Sequence, residues 1–533
     1  MKKIFNLITA ISCALIGFVI LMTGLNHGVG VGGDATIYMN SAQNLADGNG
    51  LGLLNPNGDF RLIPYFPPFF PLVLAAFAKF DLPLDRVAMF LNIFCFFALI
   101  MLAVIWTGEK GRSVFPSLFL GLTLAASPIL IPAYSWAMSE PLAMLLGFAA
   151  LVCIADYVED EGWARIVFGG LFAGLAFLTR YACAAFIAAA ALILLIYMKK
   201  PFGKRVLWTL LFSVIALLPM AGWLYYDYNV TQTVASRSMS SVNFAQQLAA
   251  FWPKMKTVLC TWILPESWQN DAATPQIALT ILAVILALFP VFCLFLSKAV
   301  RARKIVAERS KVVCRMLSFL SILTLVYDAV ILITALKTFP PITINTRMML
   351  PTYIAFIWSL ALIYDICLYD TKETAGDVLL SVLFFLFAAF SGYRGMRITN
   401  QNVIDGIGYN SETWRTSETV DYIKENIAED QLIVTNEETA LLYLTGRKTW
   451  PMHEVYVSEP DAEFYAYEEY TAPETDFGRK AFIDGNALLV VFDTFEDQMR
   501  DIYGEDTNDR IEALFKNLNV EFDGDDGTIY SLK

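Results

Sequence analysis

About eleven stretches of this chain are apolar for roughly 17 to 25 residues, the length an α-helix needs to cross the hydrocarbon of a bilayer. They run over about residues 4–25, 84–107, 113–131, 139–157, 164–180, 182–198, 206–226, 275–298, 312–336, 348–369 and 376–394. In lipid, backbone N–H and C=O groups must be satisfied within the segment itself, so these runs read as helices and the chain as a multi-pass membrane protein. A composition of 57% hydrophobic and 17% charged residues in 533 fits no soluble chain of that length. The opening "MKKIFNLITAISCALIGFVILMTGL" has the basic start of a signal peptide without a clean small-x-small cleavage site, which predicts an uncleaved first span.

Lys and Arg set the orientation. Lys2, Lys3, Lys110, Arg112, Lys199, Lys200, Lys204, Arg205 and the cluster Lys298, Arg301, Arg303, Lys304, Arg309 and Lys311 fall on one side, which is therefore cytoplasmic. An odd number of spans then puts residues 26–63, the loop at about 227–274 and the whole C-terminal tail outside the inner or plasma membrane. The tail differs in kind: residues 401–533 carry 30 Asp and Glu against 10 Lys and Arg, while the remainder carries 28 basic against 20 acidic. We expect two domains, a membrane body over 1–399 with a functional outer loop at 26–80, and an acidic extracytoplasmic domain over 400–533.

In the tail, "ETVDYIKENI" and "TNDRIEALFKNLN" read as helices and "DQLIVTN", "ALLVVF" and "GTIYSL" as strands, so the expected fold class is an all-α polytopic membrane domain followed by a small α/β domain. Residues 453–476 read as an irregular loop, and "GYNSETWRTSETV" at 408–420 as a capping start to the tail's first helix. All eight cysteines precede residue 400, mostly inside apolar runs, so no disulfide framework or CxxC metal spacing is present. His27 and His453 alone make a His-based metal site improbable. Acidic charge outside the membrane gives no footprint for nucleic acid.

The first outer loop carries the chemistry. In "DATIYMNSAQNLADGNG", Tyr38, Ala42, Leu45 and Ala46 recur on one helical face, Thr36, Asn40, Gln43 and Asn44 on another, and "DGNG" stops the helix. Such a helix would lie along the bilayer surface. Asp34 at its start reads as the N-cap; a carboxylate so held is also placed to act as a base toward a hydroxyl. The following "PYFPPFFPLVLAAFAKF" is too short to span and reads as re-entrant or interfacial, its proline-freed backbone covered by protein or lining a cavity. Tyr38, Arg61 and Tyr65 are the expected lining residues.

These residues resemble the membrane-embedded C-type glycosyltransferases, the GT-C fold, and within it the branch of protein O-mannosyltransferases and the aminoarabinose transferase of lipid A. The likeness rests on the loop Asp with its helix, then "YFPPFFPLVL", "SWAMSEPLAMLL" at 135–146, "GLFAGLAFLTRYACAAF" at 170–186 and "NTRMMLPTYIAF" at 345–356, in the family's order over most of residues 30–360. The resemblance implies inverting transfer of a sugar from a polyprenyl-phosphate-linked donor to an acceptor at the outer face, with Asp34 matching the family's catalytic Asp. The acceptor could be a glycolipid, a polysaccharide or a protein. The chain departs from its relatives in having Glu140 where many carry Asp and Arg180 where some have Lys.

Glu140, at the outer start of a span, is either an acid favoured by the helix dipole or a second catalytic carboxylate that orients the acceptor or holds a divalent cation with Asp34. Arg180 and Arg347 either snorkel to the interface or bind the donor phosphate, where bidentate geometry and permanent charge favour Arg. No Gly-rich phosphate loop opens a helix in a βαβ context, which points to a lipid-linked donor over a soluble nucleotide sugar. The alternatives are a transporter or lipid flippase, for which paired halves are expected and none is visible, and an inactive scaffold.

Overall fold

The computed structural model describes residues 2–62, 66–231, 238–239, 244–303, 308–339, 342, 344–368, 375–452, 477–516 and 518–532. They form two compact units. The first comprises residues 1–29, 64–73 and 85–404; the second comprises residues 30–63, 74–84 and 405–533. The outer loop 30–63 thus belongs with the tail, and the unit boundary falls at Asp405.

The first unit is helical. Eight described helices are long and apolar enough to cross a membrane: Lys2–Gly24, Leu84–Lys110, Glu140–Asp160, Phe202–Val230, Gln276–Ala302, Glu308–Lys337, Leu350–Cys367 and Gly376–Asp405. The other three runs form shorter helices, Phe115–Ala125, Trp163–Thr179 and Ala184–Tyr197. Run 113–131 is interrupted for an evident reason. Pro128 has no N–H, and the Ser127 hydroxyl accepts from the amides of Ile129 and Leu130, ending one helix and starting the short Leu130–Tyr134. That hydroxyl also donates to Tyr353 Oη at 2.9 Å, tying the break to another helix.

Small residues let these helices approach closely. A Cβ on Gly174 would stand 2.6 Å from the carbonyl oxygen of Ala216, and one on Gly395 would collide with that of Ala126. Polar bonds gather the helix ends. At one end of the unit, Lys2 Nζ donates to Gly111 O at 2.7 Å, Arg112 N to Asp365 Oδ1 at 2.8 Å, and Lys110 lies 3.1 Å from Asp156. Arg315 pairs there with Glu159. The helix Glu140–Asp160 runs away from this basic end for about 30 Å, so Glu140 stands at the opposite end.

The second unit is the small α/β domain. Its five-stranded sheet has the spatial order Trp450–Pro451, Leu432–Thr435, Ala487–Phe492, Gly527–Ser531, Asn519–Gly524. The first three are parallel and the last two form an antiparallel hairpin. Helices cover both faces, so the central strands are apolar throughout, and their side chains alternate between two cores. Val434, Leu489 and Val491 meet Phe482, Phe495 and Leu514 on one side; Ile433, Val490 and Phe492 meet Val420, Ile423 and Leu441 on the other. Ser417 caps the helix Glu418–Asn426 by accepting from Val420 N at 3.0 Å.

The outer loop is built into this unit. Val31 bridges Gly408 in parallel, and Tyr409 N donates to Val31 O at 2.8 Å. The helix Gly33–Ala46 follows, then a short hairpin pairing Gly52–Leu54 with Phe60–Leu62. Asn44, expected on an exposed polar face, is buried because its amide donates to Gly52 O at 2.7 Å and so holds the hairpin. Thr36 is buried as well, so this helix is more enclosed than a surface-lying amphipath.

Three carboxyls of the second unit are held above their usual range: Glu437 and Glu438 by burial, Asp493 by burial and then by neighbouring Glu496, Asp526, Asp497 and Asp523. Each binds its proton more tightly folded than unfolded. Their contribution to stability is therefore fully present below the ordinary carboxyl range and is lost as pH rises through the raised values. In purified full-length protein, protection of strand Ala487–Phe492 against unfolding should increase as pH falls from neutral toward that range, and the combined Glu437→Gln and Glu438→Gln substitutions should flatten the trend. A stability that rises with pH over this window would contradict it.

Candidate functional site

Three of the charged residues singled out in the sequence converge in the first unit. Glu140 opens its helix, with Pro141 in the first turn, where the uncompensated amides favour a carboxylate. Its Oε1 lies 2.9 Å from Arg180 Nη1 and 2.9 Å from Arg347 Nε. Arg180 Nη1 also donates to Ser139 Oγ at 3.2 Å.

Local structure aims both arginines. Arg180 stands where the helix Trp163–Thr179 ends in an extended residue, φ −149° and ψ 129°, before the 3₁₀ turn Tyr181–Cys183, and Cys183 N donates to its carbonyl at 2.9 Å. Arg347 sits in the turn before Leu350–Cys367. That turn is fixed by Tyr327 Oη donating to Met348 O at 2.6 Å and by Met348 N donating to Asn345 Oδ1 at 3.0 Å.

The electrostatics follow from exposure. The Glu140 side chain is 2% exposed, Arg180 25% and Arg347 34%. One buried carboxylate is shared by two partly exposed guanidiniums. A guanidinium has five donors in a plane, so each arginine can hold Glu140 and still bind an anion in bidentate fashion. Both guanidiniums meet the Glu140 carboxylate at the same oxygen. Neither the Ser139 contact nor the Tyr327 anchor was legible beforehand; Tyr327 lies in an apolar run and reads as span filler.

In the second unit, Asp34 lies in the first turn of Gly33–Ala46 and is half-buried. The expected N-cap role is corrected: the N-cap is Gly32, extended at φ −148° and ψ −169°, and no side chain caps this helix. The chain is pinned at Val31, so it turns into the helix two residues earlier than the sequence suggested, with Thr36 N bonding Gly32 O at 2.9 Å. Asp34, in the first turn, keeps the dipole's favour and has no capping task. Tyr38 is buried, Arg61 is exposed on the hairpin beside a cavity of the second unit, and Tyr65 and His453 lie outside the described residues.

No protein-family model and no curated protein sequence matches the chain. Solved structures do. The crystal structure of ArnT from Cupriavidus metallidurans bound to undecaprenyl phosphate is similar over 97% of both chains, at TM-score 0.51 and 13% identity. The archaeal oligosaccharyltransferase AglB from Archaeoglobus fulgidus, in complex with an inhibitory peptide and a dolichol-phosphate, is similar over 93% of this chain and 70% of its own, at TM-score 0.55 and 12% identity. At such identity the likeness is one of fold, and the fold is that of the GT-C glycosyltransferases.

Proposed function

We propose that the protein is an inverting glycosyltransferase that moves a sugar from a polyprenyl-phosphate donor to an acceptor hydroxyl outside the cytoplasm. The observation that carries this reading is the Glu140–Arg180–Arg347 cluster, two guanidiniums on one carboxylate at the end of the first unit away from its basic end. The undecaprenyl phosphate of the ArnT structure and the dolichol-phosphate of the AglB structure lend it support by fold.

In this mechanism the Asp34 carboxylate accepts the proton of the acceptor hydroxyl as its oxygen attacks the anomeric carbon. The bond from that carbon to the phosphate oxygen breaks with inversion, and polyprenyl phosphate departs with the electron pair. Arg180 and Arg347 neutralise the charge that grows on the phosphate. Glu140 acts through them, holding two like charges side by side in the orientation that receives it.

The test is to incubate membranes containing the protein with labelled polyprenyl-phosphate sugars and follow the label. Transfer to a glycolipid, polysaccharide or protein supports the reading; retention of all label on the donor, for every sugar offered, sinks it. Arg180→Ala and Arg347→Ala are expected to weaken donor binding by roughly tenfold each, the scale of one charge-assisted hydrogen bond, and to leave acceptor binding nearly unchanged. Equal losses for donor and acceptor would rule out the phosphate role.

A further inference from the structure

The second unit contains a cavity of about 410 Å³, within the range of small-molecule sites. Its walls come from the hairpin of the outer loop and from the edge of the sheet, and four features give it a chemical character. Arg61, on strand Phe60–Leu62, and Lys448, just before the edge strand, both line it and are both exposed. They are two cations in a unit whose tail carries 30 acidic residues against 10 basic ones. Trp450 and Phe477 form an aromatic wall, with ring centroids 5.5 Å apart and planes inclined by 35°, and Phe477 is 47% exposed.

That wall is built deliberately close. A Cβ on Gly478 would lie 2.6 Å from Trp450 Cβ, so only glycine lets the helix Phe477–Ile483 seat against the indole. The Thr449 hydroxyl is the fourth feature. Thr449 lines the cavity and is 8% exposed, and its Oγ1 has no hydrogen-bond partner among the described residues, a state that costs free energy unless something arrives to pair with it. Glu438 on the same wall faces Arg61, and burial holds its carboxyl above the usual range.

We propose that this cavity is the acceptor-recognition subsite and that it takes an anionic sugar, one bearing a carboxylate or a phosphate. This rests on the transferase reading above and names its acceptor class. Aromatic faces pack against the C–H face of a pyranose, Arg61 and Lys448 meet the anionic substituent, and the Thr449 hydroxyl pairs with a ring hydroxyl. An anion is repelled by the acidic surface elsewhere on the unit, so the two cations would select both the ligand and the place it binds.

The test uses the purified full-length protein in detergent, titrated with a glucuronic-acid disaccharide, glucose 6-phosphate, inorganic phosphate and the neutral disaccharide maltose. An anionic sugar should bind at least tenfold more tightly than maltose, less so at high salt, and the stronger of the two anionic sugars identifies the substituent. Arg61→Gln and Lys448→Gln should each weaken it roughly tenfold, and Trp450→Phe should weaken it less than Trp450→Ala. Polyprenyl-phosphate binding should be unchanged in all four variants. Equal affinity for maltose, tighter binding of bare phosphate than of any sugar, or indifference to Arg61 and Lys448 would overturn the proposal. If anionic sugars bind as described while no donor transfers its sugar, the transferase reading fails and the subsite stands.

Discussion

Asp34→Asn is expected to reduce sugar transfer by about 10²- to 10⁴-fold, the contribution of a positioned general base, while the protein folds and inserts as before. Gly32 is the N-cap and no side-chain cap bond exists to be lost; the first-turn charge itself contributes about 0.3–1 kcal/mol. The amide keeps the size of the carboxylate but cannot accept a proton at neutral pH. Donor binding should survive, because the phosphate contacts belong to Arg180 and Arg347. A variant that transfers sugar at the parent rate would remove Asp34 from the mechanism; one that fails to accumulate would show that the residue is structural.

Glu140→Ala should have the second large effect, and of a different kind. It leaves Arg180 and Arg347 facing one another without the carboxylate that each meets at 2.9 Å. One-sided removal from a buried pair costs about 3–5 kcal/mol; with the guanidiniums a quarter to a third exposed, the expected loss is about 2–3 kcal/mol. The two arginines should swing apart, so donor affinity falls although Glu140 is the anion of the cluster. Glu140→Asp should recover more donor binding than Glu140→Gln, since it retains the charge at the cost of reach. A variant that binds donor more tightly than the parent would mean that Glu140 competes with the phosphate instead of arranging its receptor.

Much of the fold was legible because lipid enforces a simple rule: a run long enough to cross must be helical, and all eleven runs are, one of them as two helices. The rule fails where one side chain intervenes, as Ser127 does by ending a helix beside Pro128. In the tail, apolar strands such as "ALLVVF" announced themselves, whereas Asn519–Gly524 did not. It lies at the sheet edge, is largely exposed and carries Glu521 and Asp523, charges that protect an edge from pairing with another chain and disguise it as a loop. The chemistry was readable residue by residue but not as a constellation. Glu140, Arg180 and Arg347 each looked like a snorkelling or dipole-favoured charge at a span's end, and only the packing of three helices brings them onto one oxygen. The cavity beside Arg61 was hidden for the same reason, its walls coming from distant parts of the chain.

The parallel bridge between Val31 and Gly408, reinforced by Tyr409, has a consequence for inheritance and engineering. Exchanging the last 130 or so residues for those of a relative would strip the segment holding Asp34 of its native neighbours, and shortening the protein at that junction would expose the same seam. Two stretches far apart in the gene must therefore change in concert, so selection for a new acceptor is expected to leave paired substitutions in the loop and the tail.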